Sequence, residues 1–303
     1  MAAPSLVRPT VYPYANFDSY NDVQKLHKAM KGLGTNEEKI MDVLCFRSWD
    51  QRQEIRKKYK ELFNKEPQED LKHELKGHFE ELMLALLMPP AEYDAQQLHE
   101  AMKGLGTKES VLIEILTSRT NKEIHNIVLS YQKLFQHSLE TDIRGDTSGV
   151  FRDLLLQLLN GLRDESNKVD PSKAKHDAEL LYKAGEGRLG TDESQFIVAL
   201  TMRNFFHLQQ VFKEYEQLAS HDIEKAIDKE FSGDEKKGLL ALVKVIRNRP
   251  AFFAEKLRDS LKGIGTKDKQ LIRIIVTNCE KDMVNIKEQY HTLYGKSLES
   301  DIK

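Results

Sequence analysis

Met30-Lys31-Gly32-Leu33-Gly34-Thr35 decides the fold of this chain, because the chain writes it again. It returns as Met102-Lys103-Gly104-Leu105-Gly106-Thr107 and as Leu261-Lys262-Gly263-Ile264-Gly265-Thr266. A longer variant reads Gly185-Glu186-Gly187-Arg188-Leu189-Gly190-Thr191. A bulky apolar residue followed by Gly-Thr ends all four loops, and an acid stands forty residues beyond the last glycine of the first three: Glu74, Asp146 and Glu230. In the fourth the same count runs past Lys303. Internal repetition of this kind settles an architecture before local propensity does. Overlaying the loops divides the chain into a head at 1–17 and repeats at 18–88, 90–160, 174–246 and 250–303, with a linker at 161–173 between the second and third.

Within each repeat the apolar period is helical. Ile55, Tyr59, Leu62 and Phe63 recur at i, i+4, i+7 and i+8, and Ile124, Val128, Tyr131 and Phe135 follow in the second copy. Leu208, Val211, Phe212 and Tyr215, then Met283, Ile286, Tyr290 and Leu293, mark the third and fourth. No useful alternating strand pattern appears. The fold class is therefore all-α, four repeats of about five short helices, the last repeat incomplete. Threonine after the last glycine reads as an N-cap, with Thr35 and Glu38 a reciprocal box, and an acid two positions later (Glu37, Glu109, Glu193, Asp268) suits the helix dipole. The linker carries Arg163, Asp164, Glu165, Asn167 and Pro171, and the head, with three prolines, reads as an extended strap.

Composition is that of an ordinary soluble protein: 46 basic against 48 acidic residues in 303 give a net charge of −2, which predicts no nucleic-acid or membrane binding from bulk charge, so attraction to an anionic surface must come from local patches or bound cations. The first residues hold no signal-peptide core, and the apolar stretch around Leu82–Met88 is too short to span a bilayer, so a cytosolic protein is expected. Cys45 and Cys279 lack metal-ligand spacing and read as buried free thiols.

The loop and its distant acid make chemical sense together. Calcium takes six to eight oxygens, commonly backbone carbonyls with one bidentate carboxylate. Paired glycines let a short loop adopt positive φ and turn several carbonyls to one point. One acidic side chain per site means weak intrinsic affinity, on the order of 10⁻⁴ to 10⁻³ M. An open coordination position then accepts a lipid phosphate oxygen, so cation and membrane strengthen one another. Leu33, Leu105, Leu189 and Ile264 read as apolar tips, and Lys31, Lys103, Arg188 and Lys262 as partners of anionic headgroups. For one isolated loop a plain glycine turn is the simpler reading; the repeated spacing favours the site.

These residues, with Arg-Ser at 47–48, Ser-Arg-Thr at 118–120 and Gly-Asp-Thr-Ser-Gly at 145–149, resemble the annexin repeat over nearly the whole chain from Asp18 onward. The resemblance implies a curved disc of four five-helix repeats that binds acidic, phosphatidylserine-type membranes through Ca2+, reversibly and at the cytosolic face. It implies carbonyl ligands at Met30, Gly32 and Gly34 with Glu74, at Met102, Gly104 and Gly106 with Asp146, and at Gly185, Arg188 and Gly190 with Glu230. Weaker sites fall on Thr35 with Glu37, Thr107 with Glu109, and Thr191 with Glu193. The fourth loop, Leu261, Gly263 and Gly265, has the carbonyls without the acid. The resemblance also implies a polar centre at Asp94, Arg119, Arg273 and Asp282, with Asn278 standing where the repeat pattern has arginine. A truncated fourth repeat is expected to leave Ile272, Ile275 and Ile286 uncovered and to lower solubility.

Other signals carry less. Gly185-Glu186-Gly187-Arg188-Leu189-Gly190 matches a dinucleotide fingerprint but follows a helical run from Ala178 to Ala184. His73 and His78 are one residue too far apart for a zinc-protease pair on one helix face. Arg144-Gly145-Asp146 spells an adhesion tripeptide whose aspartate the loop chemistry already uses. No nucleophile stands in a catalytic context, so no enzyme is expected. Protein-interaction scaffolding and ion conduction are the alternative functions; self-association on the membrane and protein partners stay open.

Overall fold

The structure, a computed structural model, describes residues 6–32, 34–187, 190–263 and 265–303. The expectations placed on Leu33, Arg188, Leu189 and Ile264 lie outside the described residues. The described residues are helical and contain no strand. The first repeat holds α1 (Ser19–Met30), α2 (Glu37–Leu44), α3 (Trp49–Phe63), α4 (Pro67–Glu74) and α5 (Gly77–Leu87). The second holds α6 (Pro90–Met102), α7 (Glu109–Ser118), α8 (Asn121–Phe135), α9 (Leu139–Asp146) and α10 (Gly149–Leu159). Then come α11 (Pro171–Ala184), α12 (Glu193–Met202), α13 (Phe205–Ala219), α14 (Ile223–Glu230) and α15 (Gly233–Leu261), which breaks at Asn248 just before Pro250. The chain continues with α16 (Asp268–Asn278), α17 (Met283–Tyr294) and α18 (Leu298–Ile302).

Local chemistry sets these ends. Ser48 and Thr120 form reciprocal capping boxes with Gln51 and Glu123, and Asp18, Ser138, Asn204 and Ser297 cap their own helices. The third helix of every repeat stops at a left-handed residue, namely Asn64, Gln136, Ser220 and Gly295. The linker ends earlier than expected: Asp170 caps α11 and Pro171 is its first residue, where a proline's missing N–H costs nothing. The apolar stripe of each helix makes the core. Val23, Leu26, Ile40, Leu44, Tyr59, Leu71 and Met83 are buried in the first repeat, and Ala95, Leu98, Leu112, Leu116, Tyr131, Ile143 and Leu155 hold the same register in the second. Leu62 and Leu293, placed on that stripe by periodicity, are instead 41% and 45% exposed near the ends of α3 and α17.

Two compact units result, one of residues 1–90 with 253–303 and one of 91–252. Each is tied by an extended segment whose backbone bonds loops of two repeats. In the first, Thr10 and Val11 N–H groups donate to the Cys279 carbonyl, Val284 N–H donates to Arg8, and Gln51 exchanges two bonds with Tyr14. Residues 8–14 of the head thus form the strap that its prolines predicted. In the second, Asp164 N–H donates to Met202, Asn121 donates to the Arg163 carbonyl, and Asn204 donates to Asp164 and Lys168. The expectation of an uncovered fourth repeat is corrected. Ile272 and Ile286 are buried and Ile275 is half-buried, because α5 packs against α16 within the same unit.

A bidentate ion pair joins the first helix of a repeat to the end of its second. Arg47 meets Asp22 at 2.6 and 2.8 Å, Arg119 meets Asp94 at 2.7 and 3.0 Å, and Arg203 meets Asp177 at 2.9 and 3.3 Å. At the same spacing in the fourth repeat stand Phe253 and Asn278, both fully buried, with Asn278 donating to the Ile274 carbonyl. Both charges are replaced together, which avoids the large cost of one buried charge left alone. Asp94 and Arg119 therefore belong to a repeated structural pair. Arg273 and Asp282 are buried in the other unit.

Replacing Asp94 by Ala strands the buried Arg119 and is expected to cost about 3–5 kcal/mol in urea unfolding. The double change Asp94→Phe with Arg119→Asn, which copies the fourth repeat, should cost less than that single change. In the linker, bonds from Asn204 and then Ser166 hold the Asp164 carboxyl down to about 2. A depressed folded value means its stabilisation is complete above the ordinary carboxylate range and lost as pH falls through about 2. Carboxyl-carbon NMR titration should find that midpoint, and Asn204→Ala should raise it toward the ordinary value.

Candidate metal-binding loops

Each glycine loop starts where a first helix ends and stops where a second begins. Met30 and Met102 are buried at the helix ends and anchor the loops from inside. One backbone bond closes every loop: Asn36 N–H to Ala29, Lys108 to Ala101, Asp192 to Ala184 and Lys267 to Ser260, at 2.7 to 2.9 Å. Between these closures the glycines take left-handed φ, 116° and 85° at Gly32 and Gly34, 98° and 82° at Gly104 and Gly106, 79° at Gly190, and 109° and 84° at Gly263 and Gly265. A Cβ built at any of these seven meets nothing within 4 Å, so backbone conformation rather than space demands glycine. The exposed Lys31, Lys103 and Lys262 flank them, and Leu105 projects fully into solvent at the second tip.

The distant acids come to these loops. Thr35 Oγ1 donates to Glu74 Oε2 at 2.6 Å, Thr191 Oγ1 donates to the Glu230 carboxylate, and Thr107 Oγ1 donates to the Asp146 main-chain carbonyl at 3.2 Å. The forty-residue spacing is thus adjacency in space. Glu74, Asp146 and Glu230 are each the last residue of their helix, α4, α9 and α14. A carboxylate there sits against the negative end of the helix dipole, an arrangement that a cation relieves. Glu74 and Glu230 are half-buried and Asp146 is exposed.

The threonines correct the capping expectation. The N-caps are Asn36, Lys108, Asp192 and Lys267, one residue further on, and no box forms between Thr35 and Glu38. The first three hydroxyls turn toward the distal acid residue, not to Glu37, Glu109 or Glu193, because loop closure aims them across to the fourth helix. Those three acids do open their helices as expected, while Thr266 alone bonds its near acid, Asp268. The constancy of threonine in four loops was the available signal for its role. His73 and His78 fall on separate helices, α4 and α5, not on two faces of one. Gly185 follows α11, so the dinucleotide match lies between helices as read.

The first three loops offer main-chain carbonyls beside one acidic residue each, oxygen chemistry of the kind that suits calcium. Among the described residues no group of three or more His, Cys, Asp or Glu side chains could hold a metal, and a site built mainly from carbonyls needs none. No described helix is long and apolar enough to cross a membrane. Burial raises both thiols, Cys279 to about 11, which keeps it protonated and inert.

The annexin family model matches residues 21–86, 93–158, 176–242 and 252–303. Annexin A7 of Homo sapiens is 49% identical over 289 residues, 95% of this chain and 59% of that protein. Annexin A4 of Bos taurus is 49% identical over 294 residues, 97% of this chain and 92% of that protein. The solved structure of annexin III matches with a TM-score of 0.96 at 46% identity, covering 99% of this chain and 94% of that one. A structure described as calcium-bound annexin (Sm)1 matches with a TM-score of 0.89 at 32% identity, over 98% and 88%. The chain belongs to the annexin family. It spans about three fifths of the length of annexin A7.

Gly106→Ala puts a Cβ on a left-handed residue and is expected to cost about 1 kcal/mol in thermal unfolding, by the left-handed penalty for L-residues. Gly145→Ala, inside α9 with ordinary φ and open space, should be neutral or stabilising, which separates the conformational demand from glycine loss in general.

Proposed function

We propose that this chain binds acidic phospholipid membranes in a calcium-dependent, reversible way and performs no catalysis. The observation that carries the reading is the bond from the loop threonine to the acid residue 39 positions on, formed in three repeats. The ligands are the carbonyls of Met30, Gly32 and Gly34 with Glu74, those of Met102, Gly104 and Gly106 with Asp146, and those of Gly185, Arg188 and Gly190 with Glu230. Calcium held there would keep an open coordination position for a phosphatidylserine phosphate oxygen. Thr35 and Thr191 hold their carboxylates toward the loop while using one of about four lone-pair positions, which leaves capacity for a cation. Lys31, Lys103 and Lys262 add attraction to anionic headgroups, with Leu33, Leu105, Leu189 and Ile264 as apolar tips. Thr35 with Glu37, Thr107 with Glu109 and Thr191 with Glu193 form weaker sites, and the carbonyls of Leu261, Gly263 and Gly265 another. The chain works at the cytosolic face.

The family assignment supports this reading, as does the calcium-bound state of annexin (Sm)1. Co-sedimentation with phosphatidylserine vesicles across a calcium titration tests it. Binding should need both calcium and acidic lipid and reverse with chelator. Glu74→Gln combined with Asp146→Asn should raise the calcium midpoint about tenfold or more, by loss of ligand charge, with helical content unchanged. Equal vesicle binding by parent and double variant would remove those two residues from the site.

A further inference from the structure

The third loop closes over one residue more than the others, and its extra length places Glu186 between two glycines. In the first two repeats a buried tyrosine, Tyr59 or Tyr131, donates its hydroxyl to an aspartate of the fourth helix, Asp70 or Asp142. Each aspartate stands four residues before the distal acid; in α14 that position is Ala226. Glu186 supplies the missing carboxylate from the loop itself. Tyr215 donates to it at 3.3 Å, Lys229 Nζ lies 2.8 Å from Oε1 and His221 Nε2 lies 2.8 Å from Oε2.

The backbone on either side is equally committed. Gly187 N–H donates to Tyr182 at 2.8 Å; a Cβ at Gly185 would come within 3.0 Å of the Phe196 ring, and one at Gly187 within 3.0 Å of Lys183 Cα and the Tyr182 carbonyl. Lys229 adjoins Glu230, which Thr191 bonds from the far side of the loop. Two clamps therefore join the third loop to the end of α14. Among the described residues of the first two loops, the threonine makes the bonds to that place.

We infer that Glu186 is a positioning residue that holds residues 185–187 against the end of α14 before a cation binds, through Lys229, His221 and Tyr215. The inference rests on the calcium reading above. With its carboxylate taken up by these partners, Glu186 is not a ligand; it reduces the ordering that binding would otherwise demand.

Leu189→Trp places a fluorescence reporter in this loop, read by calcium titration with and without phosphatidylserine vesicles. Adding Glu186→Gln should raise the calcium midpoint about tenfold, the low end for loss of a supporting residue. In the calcium-free protein, hydrogen exchange of the described amides at 185–187 and 190 should quicken. The effect of Glu186→Gln should shrink in a Lys229→Met, His221→Phe background, since the residues act as one unit. A parent reporter that responds to calcium while Glu186→Gln titrates identically overturns this inference alone. A parent reporter that stays silent overturns the calcium reading of the third loop, and the inference falls with it.

Discussion

A carboxylate at the last residue of a short helix, facing a glycine loop that closes on itself, is the constraint on which the site depends. Helix ends carry unpaired carbonyls and negative potential, so an acid placed there is locally unfavourable. Three repeats accept that cost at Glu74, Asp146 and Glu230. The loop threonine reaches that helix end in each of the three, at the carboxylate of Glu74 and Glu230 and at the main-chain carbonyl of Asp146. The repeat stays foldable because the threonine hydroxyls take part of the hydrogen-bonding load.

Around that constraint the repeat is conservative in shape and free in chemistry. The Asp–Arg pair recurs in three repeats, buried in the first two, and the fourth replaces both members with Phe253 and Asn278, so the packing survives while the charge disappears. The carboxylate that receives the buried tyrosine sits on the fourth helix in the first two repeats and in the fourth, where Asp301 takes it. In the third it has moved to the loop. Such exchanges are open to a fold whose backbone register is held by closure bonds and caps rather than by any one side chain. They also make the four loops unequal, since each is braced by different neighbours.

The sequence alone determined the all-helical class, the four repeats and the pairing of the first three loops with an acid forty residues away, because periodicity and spacing are properties of the chain itself. It also showed which glycines mattered, since only glycine takes left-handed φ cheaply. Tertiary structure decided the rest. Thr35 reads locally as a cap, and only the approach of α4 to the loop turns its hydroxyl to Glu74. Ile272 reads as uncovered until α5 packs on α16. Glu186 reads as a fragment of an accidental motif, and its partners lie 29 to 43 residues away. A side chain's partner across such distances depends on how helices cross, and helix crossing is set by packing of the whole repeat.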